Sequence, residues 1–285
     1  MDTLGRQELW SFVDGEEKAK KVSKVTSVRK AAGHRVNSYL ELATKVAELQ
    51  FRNREHVLMF RGQGFDHRNA QKNTSLKPSL FRPQRGRAAL PSSATLTERF
   101  ERLRTAERML VQRYADAAML GAERLKRHRI LRWAILQHYE VCPTPLLDVT
   151  HSLRIAASFA SHGTTGDAFL FVLAVPNLSG AITASAEASL QIVRLSSVCP
   201  PAAVRPHIQE GYLLGEYPEM ADYGQKELYA HYEIDFGRRL LAKFRFDPVR
   251  FWKSDAFPQV TENALYPSRS RDPLFDIAEE IKAAL

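Results

Sequence analysis

The chain has 285 residues, of which 44% are hydrophobic, and its 41 Lys and Arg against 32 Asp and Glu give a formal net charge of +9. These values are ordinary for a folded protein with one large core, and no stretch approaches the ~20 apolar residues of a membrane span. Two cysteines are too few for a disulfide framework or a zinc site, and the N-terminus lacks the apolar core of a signal peptide, which predicts a cytoplasmic protein with no membrane partner.

The first residues of the chain are polar, and regular patterns follow them. Residues 1–35 carry a loose basic run, which indicates a mobile arm, a frayed helix or an interaction tail, with a solvated segment as the default. Ser38 is predicted to open a helix, because apolar side chains follow it at helical spacing up to Leu49. Residues 57–60 form a short apolar run, which predicts a buried strand entering a sharp turn at Arg61.

Two helices are predicted after a loop rich in Pro, Gly and Arg at residues 82–93. Thr95 and Glu98 have the spacing of a capping box, which places the start of the first helix there. An apolar stripe then continues to Tyr114, and a second stripe follows. The basic residues in 124–129, between the two stripes, could grip phosphates, although a solvated helix face explains them equally well.

Strand patterns dominate the second half of the chain. Residues 168–175 are continuously apolar, which is typical of a central strand buried on both faces. Further strands are predicted at 190–195, 211–214, 228–234 and 240–246. Because strands and helices are segregated rather than alternated, we predict an α+β fold. We expect an N-terminal basic, helical extension over residues 1–50 and one main domain over 51–285, with a helical insertion at about 94–136.

Arg61, Gly62 and Gln63 follow the first predicted strand. The guanidinium of an arginine at a strand end can clamp a diphosphate through two parallel charge-assisted hydrogen bonds, and a glycine beside it lets a ligand approach the backbone. The alternative is a surface ion pair, which is the commoner role of such an arginine.

The block at residues 137–160 contains a second group of polar residues. Asp148 and Thr150 are predicted to share one face of a strand, and Ser152 to cap the helix that follows. Polar groups before the positive end of a helix predict a site for a phosphorylated ligand, unless Asp148 and Ser152 only cap that helix. His138 ends a helix and is either a satisfied structural group or a charged residue near Asp148. No metal is expected, because no second histidine follows at helical spacing.

A third polar group lies in residues 205–214, at the mouth of a predicted strand. Gln209 or Glu210 could hydrogen-bond a ribose hydroxyl, and a carboxylate there could stabilise a developing oxocarbenium charge. Gly211 would permit close approach. The alternative is a polar pair on an edge strand.

In this order the motifs resemble those of the FRG-domain family. They are Phe60-Arg61-Gly62-Gln63, then Leu76-Lys77-Pro78-Ser79-Leu80-Phe81-Arg82, then a Gln-His-Tyr…Pro-Thr…Leu-Leu-Asp…Thr block that begins at Gln137. An Arg…Gln-x-Gly-x-Phe-like element follows at residues 205–213, and a Leu-Phe-Pro-like ending at Leu265-Tyr266-Pro267. The similarity runs from about residue 50 to 280. Four positions depart from the family pattern: Glu140 replaces a glycine, Pro145 an arginine, Val149 a tryptophan and Leu213 a phenylalanine. The arginine lost at Pro145 could remove a ligand contact.

The motif layout is also similar to that of ADP-ribosyltransferases, which implies a split β-sheet core carrying the N-terminal extension and the inserted long helices. This resemblance implies NAD as a substrate, with Arg61 on its phosphates and Thr150 or Ser152 positioning the nicotinamide ribose. Gln209 or Glu210 would hold the ribose hydroxyls or activate the acceptor. The implied catalytic residues are Arg61, Thr150, Gln209 and Glu210, and the implied NAD-binding residues are Arg61, Gly62, Gln63, His138, Asp148, Thr150 and Ser152.

The implied reaction is NAD-dependent transfer of ADP-ribose. The +9 charge, the Arg85-Gly86-Arg87 loop and the basic residues in 124–129 favour a nucleic acid as the acceptor, RNA above all. The family context permits a bacterial toxin or a phage-defence effector, with an antitoxin protein as a further partner. The alternatives are a protein acceptor, an NAD glycohydrolase that uses water, and a non-catalytic module that binds nucleotides or nucleic acid.

Overall fold

A computed structural model describes residues 8–13, 15–83, 89–177, 179–228, 234–254, 256–267 and 272–285. The loop Arg85-Gly86-Arg87 and most of the strand predicted at 228–234 lie outside these residues. Ten strands and twelve α-helices lie within them. The prediction of an α+β fold is confirmed.

The strands are β1 (Leu9–Ser11), β2 (Lys20–Val22), β3 (His34–Arg35), β4 (Val57–Gln63), β5 (Leu147–Thr150), β6 (Ala168–Val175), β7 (Ile182–Ser185), β8 (Leu190–Arg194), β9 (Gly211–Glu216) and β10 (Leu240–Phe246). The helices are α1 (Val25–Lys30), α2 (Tyr39–Arg52), α3 (Ser93–Asp116), α4 (Ala122–Arg127), α5 (Arg129–His138), α6 (Leu153–Ser161), α7 (Leu195–Val198), α8 (Val204–Ile208), α9 (Tyr223–Glu227), α10 (Pro248–Phe251), α11 (Glu262–Leu265) and α12 (Pro273–Ala284). Two 3-10 turns cover Ser79–Phe81 and Phe236–Arg239.

The chain divides into two compact units. The first comprises residues 1–76, 149–178 and 235–265, and the second residues 77–148, 179–234 and 266–285. The sequence predicts two continuous regions, 1–50 and 51–285, whereas each of these units consists of three separate segments. The boundaries at residues 50 and 51 and the helical insertion remain a prediction.

The sheet of the first unit is mixed, with the strand order β3-β10-β6-β4-β5. β10 and β4 run antiparallel to β6, and β5 runs antiparallel to β4, whereas β3 lies parallel to β10. β6 is at its centre and is almost fully buried, as its continuous apolar sequence predicts. Helix α6 packs on β4.

The first unit contains a buried network of ion pairs and hydrogen bonds. The ammonium of Lys243, on β10, donates to the carboxylate of Asp66 and to the hydroxyl of Thr74, each at 2.8 Å. The guanidinium of Arg29, on α1, donates to the carboxylate of Asp235 at 2.5 Å. All five side chains are at least nine-tenths buried. Buried charges need such partners, so this network fixes where α1 and the segment after β4 lie.

In the second unit, helices surround an antiparallel sheet of order β9-β8-β7. The apolar stripe of α3 is buried as predicted, from Leu96 to Tyr114, and α3 packs against α4, α5 and α12. The capping box predicted at Thr95 is wrong. Ser92 caps α3, because its hydroxyl accepts the amide of Thr95, which therefore lies inside the first turn.

Other sequence predictions in the first half have mixed outcomes. Ser38 does cap α2, since its hydroxyl accepts the amide of Glu41, and Leu49 is fully buried. The sharp turn expected at Arg61 is wrong, because β4 continues through Gln63. Within the described residues, no helix combines the length and the apolar character needed to cross a membrane.

We expect Lys243→Met to destabilise the protein by about 3 kcal/mol, because the buried carboxylate of Asp66 would lose its ammonium partner. Urea unfolding measures this loss. The matched control is Lys20→Met, which removes an exposed ammonium paired with Glu16 at 2.6 Å and should leave the unfolding free energy within experimental error. Equal stability of both variants would contradict a structural role for the network.

Candidate functional site

The residues assigned to a site from the sequence are divided between the two units. The first unit contains Arg61, Gly62, Gln63, Thr150 and Ser152, and the second contains His138, Asp148, Gln209 and Glu210.

Arg61 lies on a different face of the first sheet from Thr150. In the register, Phe60 is opposite Thr150, so these two side chains share one face. Arg61 is the next residue and therefore points to the other face, together with its partner Phe171. Phe171 is also opposite Lys243, which belongs to the buried ionic network. Arg61 and Lys243 therefore lie on one face of this sheet and Thr150 on the other.

Gly62 is required by packing within the protein. A Cβ atom at Gly62 would lie 1.8 Å from the carbonyl oxygen of Ala156 and 2.8 Å from the amide nitrogen of Ala160, both on α6. The glycine therefore lets the backbone of a helix approach β4 closely. Approach of a ligand at Gly62 stays a prediction.

The turn from β5 into α6 leaves the serine hydroxyl out of the helix cap. Ser152 occupies the N-cap position as predicted, but its side chain accepts no hydrogen bond from the first turn of α6. Its amide instead donates to the hydroxyl oxygen of Thr150 at 3.0 Å. Thr150 is a buried residue, whereas Ser152 is partly exposed.

The side-chain amide of Gln137 forms hydrogen bonds with three residues of the second unit. Its carbonyl oxygen accepts hydrogen bonds from the hydroxyls of Ser79, at 2.9 Å, and Thr144, at 2.6 Å. Its amide nitrogen donates to the carboxylate of Asp148 at 2.7 Å. Gln137, Ser79 and Thr144 were missed as site residues, although all three stand within the motifs that carry the resemblance described above. We call these four residues the Gln137 cluster.

Asp148 reaches solvent with 35% of its side chain exposed, and within the Gln137 cluster only Thr144 is buried. The guanidinium of Arg82 is close enough to interact with it electrostatically. Burial lowers the pKa of Arg82 and the carboxylate of Asp148 partly offsets this, so the arginine remains a cation beside the carboxylate. The cluster thus presents an oriented carboxylate at a partly open position.

His138 ends α5, as predicted, and its ring lies behind Asp148. The ring nitrogen Nδ1 is 3.8 Å from a carboxylate oxygen of Asp148, and Nε2 is buried without a hydrogen-bond partner among the described residues. Burial lowers the pKa of His138 and outweighs the opposing effect of Asp148. Of the two alternatives for His138, burial disfavours the charged residue, because it opposes the charge more strongly than the helix end favours it.

Gln209 and Glu210 lie in a turn rather than on a strand. The sequence Arg205–Ile208 falls in α8, Gln209 is its buried C-cap, and Glu210 is exposed with φ at +46°. The strand, β9, begins only at Gly211. A Cβ atom at Gly211 would lie 2.9 Å from Leu195 and 3.3 Å from the ring of His138, so this glycine too serves packing.

Among the described residues, no group of three or more His, Cys, Asp or Glu side chains is arranged to hold a metal ion. The comparison with family models matches residues 56–167 to the FRG domain. No curated protein and no solved structure matches the chain. The matched residues include β4, the Gln137 cluster, β5 and α6.

We expect Gly62→Ala to destabilise the protein by at least about 3 kcal/mol, because the added methyl group would overlap the backbone of α6. Gly166→Ala is the matched control, since nothing lies within 4 Å of its Cβ position. Thermal or urea unfolding compares the two variants. A Gly62→Ala protein as stable as Gly166→Ala would disprove the packing role of Gly62.

The lowered pKa of His138 predicts a dependence of stability on pH. Because the folded pKa lies below the ordinary value of 6.5, the unfolded chain binds more protons as the pH falls through 6.5, and the folded state loses stability there. The loss should reach at most about 1.4 kcal/mol per pH unit from this one histidine. Urea unfolding of the wild type and His138→Gln between about pH 8 and pH 5 measures it. Parallel curves for the two proteins would contradict the prediction.

Proposed function

Because this chain contains an FRG domain over residues 56–167, we propose that it is an NAD-dependent ADP-ribosyltransferase whose acceptor is a nucleic acid, RNA in preference to DNA. The proposal includes the split-sheet transferase core that the motif layout implies. It assigns NAD the role of a substrate, and the chain that of a bacterial toxin or phage-defence effector held in check by an antitoxin protein.

The observation that carries this proposal is the oriented carboxylate of Asp148. Cleavage of NAD breaks the bond between the ribose C1′ and the nicotinamide nitrogen, and positive charge develops on the ribose as nicotinamide leaves. A fixed anion with one oxygen already hydrogen-bonded, at 2.7 Å from Gln137, needs no reorganisation to stabilise that charge. The same carboxylate can accept a hydrogen bond from a ribose hydroxyl.

Two neighbours of Asp148 support this role. Burial lowers the pKa of His138, so the histidine does not neutralise the carboxylate. Arg82 interacts electrostatically with Asp148 and offers a cation suited to a phosphate oxygen of the nucleotide. The acceptor then attacks the ribose C1′ and loses its proton to solvent, so that ADP-ribose is transferred and nicotinamide is released.

The remaining roles rest on the resemblance and are proposed residue by residue. Arg61, with Gly62 and Gln63, would bind the phosphates of NAD. Thr150 or Ser152 would position the nicotinamide ribose. Gln209 or Glu210 would hold the ribose hydroxyls or activate the acceptor. The partial exposure of Ser152 supports its assignment over that of buried Thr150. Of the three signature residues, Arg61 and Gln63 have side chains that can donate hydrogen bonds to a phosphate.

The test is to incubate the full chain with NAD labelled in the adenylate phosphate, together with RNA, DNA or a protein extract, and to follow both the label and nicotinamide release. We expect label on RNA, and we expect Asp148→Asn to lower nicotinamide release by on the order of 100-fold. The control is Asp116→Asn, which alters an exposed carboxylate that likewise accepts an amide, from Gln112 at 2.8 Å, and should retain full activity.

Each other outcome contradicts a defined part of the proposal. Nicotinamide release with free ADP-ribose and no labelled acceptor would replace the transferase with an NAD glycohydrolase. Label on protein would overturn the nucleic-acid acceptor. The absence of turnover, with nucleotide binding unaffected by Asp148→Asn or Arg61→Ala, would leave a non-catalytic binding module.

A further inference from the structure

The corner between α4 and α5 concentrates positive charge at the surface of the second unit. Residues 126–129 have the sequence Lys-Arg-His-Arg, and all four are exposed. His128 is both the C-cap of α4 and the N-cap of α5, with φ −111° and ψ 110°. We call residues 126–129 the basic corner.

Arg129, in the basic corner, opposes the dipole of α5. The N-terminus of a helix carries partial positive charge, which favours acidic residues in the first turn. α5 begins with Arg129, has no acidic residue in its first turn and receives no side-chain cap from His128. Lys126 and Arg127 lie in the last turn of α4, where cations are favourable, so the unfavourable position is the start of α5, and an anion bound there would offset it.

The acidic residues near the basic corner interact with residues outside it and with Arg129. Glu107 accepts hydrogen bonds from Arg132, at 2.9 Å, and from Trp133, at 2.6 Å, and lies 3.8 Å from Arg129. Glu219 also interacts electrostatically with Arg129. In the part of the chain that the structure describes, Lys126 and Arg127 form no ion pair, and their charges face solvent.

The backbone of the basic corner is held in place. The guanidinium of Arg132 donates to the carbonyl oxygens of Leu125, at 3.0 Å, and Lys126, at 2.9 Å, which are the last carbonyls of α4. Arg124, on the preceding turn, is anchored to the carbonyl oxygen of Val198 at 3.2 Å. A ligand therefore meets a corner whose backbone is already ordered, which reduces the entropy lost on binding.

We propose that the basic corner binds the phosphate backbone of single-stranded RNA. Lys126, Arg127 and the first amides of α5 together offer the donors that phosphate oxygens accept, and such contacts are independent of base sequence. The choice of RNA rests on the proposed function, for which the corner would be the surface that holds the acceptor. The binding itself requires no NAD and is measured without it.

The test measures the affinity of the full chain for a fluorescent single-stranded RNA of mixed sequence, by anisotropy, across a series of salt concentrations. Lys126→Glu combined with Arg127→Glu should raise the Kd at least about tenfold and flatten the salt dependence by roughly 0.7 per lost phosphate contact. The matched control is Lys20→Glu combined with Lys21→Glu, which changes the net charge equally at two exposed, ion-paired lysines. Thermal unfolding confirms that both variants fold.

Equal weakening by the two double variants would overturn the proposal, because a change in net charge would then explain the effect. Competition by polyglutamate as effective as that by unlabelled RNA would overturn it in favour of an acidic protein partner. RNA binding that depends on the basic corner, in a protein that transfers no ADP-ribose, would support this inference and reject the proposed function alone.

Discussion

The amide of Gln137 constrains the second unit, because its two ends are not interchangeable. The hydroxyls of Ser79 and Thr144 can donate to a carbonyl oxygen, while the carboxylate of Asp148 can only accept. The amide therefore has one orientation that satisfies all three partners. Through this one side chain the segment after residue 76, the end of α5 and the start of β5 are tied together, and the direction of the Asp148 carboxylate is set.

The sequence predicts the elements that have a regular apolar pattern. The stripes of α2 and α3 and the continuous apolar run of β6 require burial wherever they lie, so their periodicity is sufficient. The predictions that failed concern single polar positions. Thr95 and Ser92 are equally good caps by residue type, and only the path of the chain decides between them. Arg61 lies inside a strand because β6 offers it a partner at Phe171, which no local pattern reveals.

The candidate site was harder to predict than the fold for a related reason. A glycine in a signature motif is compatible with ligand approach and with helix packing, and only the 1.8 Å distance at Gly62 shows that it serves packing. Gln137 has no unusual local context, and its importance comes from partners 58 and 7 residues away. Likewise, Arg29 lies in a basic run that resembles a solvated tail, yet it is buried against Asp235, 206 residues later.

The net charge of +9 indicates a partner only after the buried, paired cations have been distinguished from the exposed ones. Arg29 and Lys243 are matched by buried carboxylates and serve the fold, whereas Lys126 and Arg127 are exposed and unmatched among the described residues. Asp148 is a negative group instead. Burial keeps the neighbouring His138 neutral, and the carboxylate of Asp148 is partly exposed. An anion that is oriented by an amide and accompanied by a neutral histidine is suited to a cationic transition state, which is the physical reason for proposing that the carboxylate acts in catalysis. The exposed cations of the basic corner are the reason for proposing that it binds the acceptor.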